Sequence, residues 1–312
     1  MNEFDYIEKY FKPLTNEVAR NLSDDAAVFK QRSKYDLVVS TDTLAEGIHF
    51  FGNENPKDIA KKSLRVNLSD MAAMGAKPIF YNLSISIPKN KVKSFLPKFA
   101  KGLDEDQELF GLKLIGGDLT SSLKDINITI TIFGETLNKK SISRGGAKSG
   151  DLLFVSGVLG LSKIGLDNFK TKLKGFSLAK KKYLFPEPRV DLGLSLNKIA
   201  NSMIDISDGL VQDASHLAKN SRLSIVLDAE KIPLPLSINL KKDILLNAAL
   251  YGGDDYELLF SCKPTYENSL KKISLDQNIK LTRIGFFQKF KKEHILFQNQ
   301  NQSFQNKSYL HF

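Results

Sequence analysis

The chain has 312 residues, a hydrophobic content of 42% and a charged content of 26%. This composition is ordinary for a folded protein, excludes a disordered polyelectrolyte, and leaves enough length for two domains. The net charge of +10 fits anionic ligands or a lysine-rich surface. Without a zinc-ligand spacing or an RNA-recognition signature, we expect no nucleic-acid partner.

The first residues and the single cysteine bear on location. Residues 1–9 carry early acids and no uninterrupted apolar stretch, so we expect neither a signal peptide nor a transit peptide. No segment approaches the ~18 apolar residues that a membrane helix needs, and we expect no membrane partner. Cys262 cannot form an internal disulfide, which permits a reducing compartment. We expect a cytoplasmic protein.

The first half of the chain alternates predicted strands and helices. One helix has Pro56 before it and Gly75 after it, a suitable start and stop. Two segments alternate apolar and polar residues with a period of two, which is typical of strands with one buried face. The predicted elements are a strand at 35–40, a helix at 57–74, a strand at 79–87, a helix at 92–110 and a strand at 126–133.

A glycine-rich break at 144–151 separates the two halves, and we place a domain boundary near residue 140. The predicted domains are 1–139 and 140–312. Because several strands alternate polar and apolar residues, we expect an α/β fold of the α+β type with mixed or antiparallel sheets, not a doubly wound parallel core. In the second half we predict strands at 152–155, 202–206, 224–227, 256–261 and 281–286, and helices near 158–166, 189–200, 209–219, 237–249 and 264–275.

Aspartates recur where apolar runs stop. Asp205 and Asp208 lie where a short apolar strand gives way to a polar turn and a helix. Two carboxylates about 4 Å apart repel by ~4 kcal/mol at an effective dielectric of 20, so a cleft lined by several needs cations. Hard oxygen donors suit Mg²⁺, which also takes substrate phosphates as ligands. The candidate ligands are Asp25, Asp42, Asp70, Asp118, Asp205 and Asp208.

These features have alternative interpretations. A single aspartate before a helix is most often a cap or an Asx turn, and Asp208 before Gly209 fits a helix start. The pairs Gly116–Gly117 and Gly252–Gly253 would let a phosphate approach the backbone, and they are equally typical of ordinary turns. No Walker sequence and no Gly-x-Gly-x-x-Gly occurs, so a nucleotide must be held another way. Four widely spaced histidines and one cysteine offer no zinc cluster and no Cys–His nucleophile pair.

In their order and spacing these strings resemble the thiamine-monophosphate kinase family, within the superfamily of aminoimidazole ribonucleotide synthetase and selenophosphate synthetase. The resemblance implies a two-domain architecture with mixed sheets, in which the N-terminal sheet joins that of a second copy into a barrel, giving a homodimer. It covers nearly the whole chain, through Asp24–Val28, Ser40–Thr43 with His49 and Phe50, Asn67–Ala76, Leu114–Asp118, Arg144–Asp151, Ile204–Leu210 and Gly252–Leu258.

The resemblance also implies an activity: Mg²⁺-dependent, direct in-line transfer of the γ-phosphate of ATP to thiamine phosphate, giving thiamine diphosphate without a covalent enzyme intermediate. It implies no protein nucleophile or base, because the attacking group is a phosphate that is already ionised. The implied metal positions are Asp25, Ser40, Thr41, Asp42, Asp70, Asp118, Asp205 and Asp208. The implied ATP contacts are Gly117, Asp118, Arg144 and Ser207, and the implied thiamine-phosphate contacts are His49, Asp254 and Tyr309.

The chain departs from the family pattern near three of these positions. Asn21-Leu22-Ser23 stands where glycines usually precede the paired acids, Asp254 stands where glutamate is usual, and Leu119 stands where threonine commonly follows Gly116-Gly117-Asp118. Two alternatives therefore stay open beside the kinase: another ATP-dependent enzyme of the superfamily, similar to aminoimidazole ribonucleotide synthetase, or a Mg²⁺-nucleotide binding protein without catalysis. A metal-dependent phosphatase would use the same acids.

Overall fold

Two mixed β-sheets organise the chain in a computed structural model that describes residues 23–29, 34–136, 140–169 and 175–298. The strands of the first sheet are β1 (Ala27–Phe29), β2 (Asp36–Ala45), β3 (Ala76–Pro88), β4 (Lys113–Ser122) and β5 (Asn127–Thr136). Those of the second are β6 (Leu152–Ser156), β7 (Ala200–Asp205), β8 (Leu223–Leu227), β9 (Leu258–Cys262), β10 (Leu281–Lys289) and β11 (Ile295–Phe297).

The strand order confirms the expected mixed sheets. The first sheet runs β1-β2-β5-β3-β4, and the second runs β11-β8-β10-β6-β9-β7. Two neighbouring pairs are parallel, β3 with β4 and β11 with β8. The other pairs are antiparallel.

Helices connect the strands in both halves. Among the described residues, no helix has the length and apolar character needed to cross a bilayer. The α-helices are α1 (Pro56–Ala73), α2 (Val92–Phe110), α3 (Leu161–Asp167), α4 (Ser177–Leu184), α5 (Val190–Leu196), α6 (Leu210–Ser221), α7 (Lys242–Tyr251) and α8 (Glu267–Gln277), with single 3₁₀ turns at Ala229–Lys231 and Pro264–Tyr266.

Helix α1 packs against both sheets. Asn55 caps its first turn by accepting the backbone N–H of Lys57, Pro56 follows at the first helical position, and Gly75 continues the chain at φ 62°. The helix contacts β2, β3 and β5 of the first sheet and β7 of the second. Because it lies between the two halves, α1 can present side chains to a site formed by both.

The strand β4 differs from the sequence interpretation. We expected a turn or a phosphate-binding loop at Gly116–Gly117, and the structure instead places both residues inside a ten-residue strand. A Cβ at Gly117 would lie 1.8 Å from the carbonyl oxygen of Leu83 on β3. Glycine is therefore needed because the neighbouring strand approaches closely, a reason that apolar periodicity does not reveal.

Other differences concern element bounds. The strand predicted at 35–40 extends to Ala45, so Asp42 lies within β2 and not at its end. The helix predicted at 189–200 is shorter, Val190–Leu196. Neither α4 nor the three-residue strands β1 and β11 was predicted from the sequence. Three residues are too few to show a periodicity, so the two strands could not be detected.

Candidate active site

An acid-lined cavity of about 390 Å³ lies between the two halves of the chain. Its walls come from β2, α1 and the loops that follow β7 and α7. It brings together most of the site residues predicted from the sequence, namely Asp25, Ser40, Thr41, Asp42, His49, Asp70, Arg144, Asp205, Ser207, Asp208 and Asp254.

Three aspartates in this cavity offer a set of metal ligands. Asp25, Asp70 and Asp205 each present a carboxylate oxygen, and these oxygens lie within 4.8 Å of one another. Asp70 is on the last turn of α1, and Asp205 ends β7. Oxygen donors at this separation suit a hard divalent cation.

Burial and mutual repulsion perturb the ionisation of these acids. The pKa of Asp42 rises from 3.8 to about 6 because the carboxyl is buried and faces Asp25 and Asp208. Burial and the charge of Asp25 raise the pKa of Asp205 to about 8. Burial and the charges of its neighbours also raise the pKa of Asp70 well above its usual value. The cluster resists full ionisation, and a bound cation would relieve that penalty.

Hydrogen bonds between α1 and the strands β2 and β7 hold the acids in place. The backbone N–H of Asp42 donates to Asn67 Oδ1 at 3.1 Å, and Ser69 Oγ donates to Asp205 Oδ2 at 2.6 Å. Ser40 Oγ donates to the carboxylate of Asp70. The helix therefore contacts acids on two strands, and one of those strands in turn holds Asp70 on the last turn of the helix.

Arg144 supplies a cation at the edge of the cluster. Its Nε and terminal nitrogen donate to both carboxylate oxygens of Asp25, at 3.0 Å and 2.7 Å. Its backbone N–H donates to Asp24 Oδ1 at 2.7 Å. Burial alone would lower the pKa of Arg144, and the facing Asp25 raises it above its ordinary value. The guanidinium is therefore a fixed positive charge beside the acids.

The turn that carries Asp208 is capped by another residue. Asp213 Oδ2 accepts the backbone N–H groups of Asp208 and Gly209, at 3.1 Å and 3.2 Å. Gln212 Nε2 donates to Asp208 Oδ2 at 3.0 Å, and Gly209 has φ 115°, which favours glycine. Helix α6 begins at Leu210, so Asp208 does stand at a helix start, and it also lines the cavity.

His49 and Asp254 line another part of the cavity. His49 Nδ1 accepts the backbone N–H of Ala45 at 3.0 Å, so the neutral ring carries its proton on Nε2. Asp254 Oδ1 accepts from the hydroxyl of Tyr256 at 2.8 Å, and Asp254 Oδ2 pairs with Lys62 Nζ at 2.6 Å. His49 is held within the first half of the chain, whereas Asp254 has one partner in the second half, Tyr256, and one in the first half, Lys62.

Some predicted residues lie elsewhere. Gly117 and Asp118 are exposed on β4 and do not line the cavity of the single chain. Tyr309 lies outside the described residues. In turn, Asp24 and Tyr256 line the cavity without having been assigned a role. The signal for them was membership in the strings Asp24–Val28 and Gly252–Leu258, which we singled out.

The chain matches two family models. The model of the AIR synthase related protein N-terminal domain matches residues 23–136, and the model of the corresponding C-terminal domain matches residues 148–295. The two matches lie on the two sheets described above.

Named relatives match over most or all of their length. The thiamine-monophosphate kinase of Buchnera aphidicola subsp. Schizaphis graminum is 41% identical, with 100% of this chain and 99% of that protein covered. The thiamine-monophosphate kinase of Escherichia coli K12 is 36% identical, with 83% and 82% covered. The solved structure of AaThiL complexed with AMPPCP and TMP has a TM-score of 0.88 and 30% identity, with 100% and 97% covered.

Proposed function

The chain belongs to the AIR synthase related protein family, and we propose that it is a thiamine-monophosphate kinase, which transfers the γ-phosphate of ATP to thiamine phosphate and forms thiamine diphosphate. The observation that carries this proposal is the convergence of carboxylates from both halves, among them Asp42 and Asp208, in one cavity. Full-length similarity to thiamine-monophosphate kinases, and to a structure complexed with AMPPCP and TMP, supports the choice of substrates.

We propose Mg²⁺ as the metal. The donor set fits it, since the cavity offers carboxylate and hydroxyl oxygens and no thiolate, and the raised pKa values of Asp42 and Asp205 are those of acids that a cation would stabilise. Bound Mg²⁺ would neutralise phosphate charge during transfer. The residues proposed to hold it are Asp25, Ser40, Thr41, Asp42, Asp70, Asp205 and Asp208, which line the cavity, and Asp118, which does not line the cavity of the single chain.

The proposed reaction needs no nucleophile or base from the protein. A phosphate monoester has a second pKa of ~6, so the acceptor phosphate is mostly dianionic at neutral pH and attacks directly. The protein then has to align the two phosphates and neutralise their charge. The cavity suits that task, because fixed acids and the cation of Arg144 surround it.

The two substrates are proposed to occupy different sides of the site. His49 and Asp254, together with Tyr309, would bind thiamine phosphate. Arg144 and Ser207, together with Gly117 and Asp118, would contact ATP. In this structure the guanidinium of Arg144 donates two hydrogen bonds to Asp25. To contact a phosphate of ATP, it would have to release at least one of those hydrogen bonds or bind both groups at once.

We propose a homodimer joined through the first sheet. Within the part of the chain described, β4 hydrogen-bonds to a strand on one side only, and it is exposed along nearly its whole length. It carries Ile115 at 56% and Leu119 at 58% exposure. An edge strand with exposed apolar side chains favours pairing with a second copy. Such an interface would cover Gly117 and Asp118, and its test is the mass in solution by light scattering.

The domain roles and the cellular location of the chain are also proposals. We propose that residues 1–139 form the ATP, Mg²⁺ and dimerisation domain and that residues 140–312 close the cleft. We also propose a cytoplasmic location, where the buried thiol of Cys262 would stay reduced.

The experiment is a product assay. Incubation with Mg²⁺, ATP and thiamine phosphate is expected to give ADP and thiamine diphosphate in equal amounts. Inorganic phosphate without thiamine diphosphate would favour a phosphatase. Nucleotide binding without any turnover would favour a non-catalytic binding protein, and turnover only with another acceptor would favour a sister enzyme of the family.

A further inference from the structure

Lys62 is a buried lysine that none of the functions above uses. It lies on α1, and only 4% of its side chain is exposed. An ammonium group at such depth is costly unless it is paired and hydrogen-bonded. Its Nζ donates to Asp254 Oδ2 at 2.6 Å and to the carbonyl oxygen of His49 at 3.3 Å, and it lies 3.9 Å from the centre of the Tyr183 ring.

The partners of Lys62 come from separate parts of the chain. His49 belongs to the turn after β2 in the first half, whereas Asp254 belongs to the loop between α7 and β9 in the second half. Both residues line the cavity. Tyr183, on α4, donates its hydroxyl to the same carbonyl oxygen of His49 at 3.2 Å. Lys62 therefore joins the two residues assigned to thiamine phosphate to one rigid helix.

The loop of Asp254 has an uncommon backbone conformation. Asp254 has φ 61° and Tyr256 has φ 52°, left-handed conformations that are unfavourable for residues other than glycine. The two Asp254 carboxylate oxygens have different partners, the hydroxyl of Tyr256 and the ammonium of Lys62. The backbone N–H groups of Asp254 and Tyr256 donate to the carbonyl oxygens of Ser207 and Ile206, at 2.7 Å and 2.8 Å, and hold the loop. The ion pair fixes the orientation of the Asp254 carboxylate on it.

We propose that Lys62 is a positioning residue for the acceptor substrate. Lys62 holds the Asp254 carboxylate and the turn that carries His49 at a fixed distance from each other. The ammonium group also balances the charge of Asp254, which distinguishes this acid from the cation-binding aspartates. Asp254 can then accept hydrogen bonds from the organic part of the substrate. This inference rests on the proposed thiamine-monophosphate kinase function.

The test is a double-mutant cycle on steady-state kinetics. Lys62→Met keeps the length of the side chain and removes its charge, and Asp254→Asn removes the partner charge. The control is Lys61→Met, because Lys61 is on the same helix and pairs with Glu105 at 2.7 Å away from the cavity. KM for thiamine phosphate, KM for ATP and kcat are measured for each protein, with thermal unfolding as the check on folding.

We expect Lys62→Met to raise KM for thiamine phosphate by about tenfold or more and to leave KM for ATP within about twofold. In the Asp254→Asn background the same change should add little, because both substitutions remove one interaction. Three results would each overturn the positioning role. The first is a double variant whose rise in KM equals the product of the two single rises. The others are an equal rise in KM for both substrates, and an unchanged KM with a lower unfolding temperature. An inactive parent protein would instead sink the proposed function itself, and the inference with it.

Discussion

Arg144 and Asp25 form a two-point ion pair, with both carboxylate oxygens of Asp25 accepting hydrogen bonds from one guanidinium. The aspartate comes from the start of the described chain, and the arginine comes from the glycine-rich segment that precedes the second sheet. The pair places the one arginine of the cavity against one of the three acids that could share a cation. Its planar geometry gives the first prediction.

Arg144→Lys keeps the positive charge and loses the planar guanidinium group, which can donate two parallel hydrogen bonds. We expect KM for ATP to rise by roughly tenfold, because an ammonium cannot make two parallel hydrogen bonds to a carboxylate or a phosphate. KM for thiamine phosphate should change much less. Arg283→Lys is the matched control, since Arg283 is half exposed and faces Glu267 at 3.7 Å. Equal KM values for ATP in the parent protein and the Arg144→Lys variant would show that ATP binding does not need the two parallel hydrogen bonds of the guanidinium.

Asp42→Asn and Asp208→Asn remove one charge each from the acid cluster. Each should lower kcat by at least about a hundredfold with the fold intact, because charge neutralisation at the phosphates is the main catalytic contribution proposed. Asp104→Asn serves as the control, as Asp104 is exposed on α2. Near-normal rates at saturating Mg²⁺ would mean that these acids are structural.

Mg²⁺ affinity should depend on pH. The folded pKa of Asp42, about 6, lies above its ordinary value of 3.8, and that of Asp205 is about 8. In the metal-free protein these acids therefore contribute stability below pH 3.8 that is lost as pH rises through 6 and then 8. Mg²⁺ needs the ionised forms, so its binding should tighten over this range and release protons.

The measurement for this prediction is titration calorimetry with MgCl₂, without nucleotide, in two buffers of different ionisation enthalpy. Asp42→Asn should reduce the number of protons released. An affinity that is constant from about pH 5 to pH 8 would contradict the account.

Arg189→Met should destabilise the second half of the chain. Arg189 donates two hydrogen bonds to Glu257, at 2.7 Å and 2.6 Å, and the Glu257 side chain is 1% exposed. Removal of one partner of a buried ion pair costs about 3 kcal/mol or more, although Lys182 still faces Glu257. Denaturant unfolding measures the loss. Arg283→Met, at an exposed pair, should cost less than about 1 kcal/mol, and similar losses for both variants would refute the argument.

Much of the fold followed from the sequence because periodicity reports burial. The helix Val92–Phe110 has the predicted bounds, and α1 and β3 begin or end within a few residues of the predicted positions. The strand β4 was missed because its burial pattern is exposed on both faces, so no alternation marks it. An exposed strand is expected to be recognisable only from its neighbours in space.

The acidic residues of the site could be predicted from the sequence, and the residues that hold them in place could not be predicted as well. Asp205 and Asp208 were recognisable because a strand ends beside them, and the structure brings them to the cavity with Asp42 and Asp70. Lys62 could not be recognised from the sequence, because a lysine on a helix is ordinarily solvated and the burial of Lys62 depends on a partner 192 positions away. Long-range pairing of this kind leaves no local pattern.

Direct transfer between the bound substrates is measured in a single-turnover reaction with ATP labelled in its γ-phosphate, Mg²⁺ and thiamine phosphate. We expect all of the transferred label in thiamine diphosphate, none on the protein at any time, and transfer by the Asp208→Asn variant that is at least about a hundredfold slower. Label trapped on the protein, or released as inorganic phosphate with thiamine phosphate unchanged, would contradict direct transfer between the bound substrates.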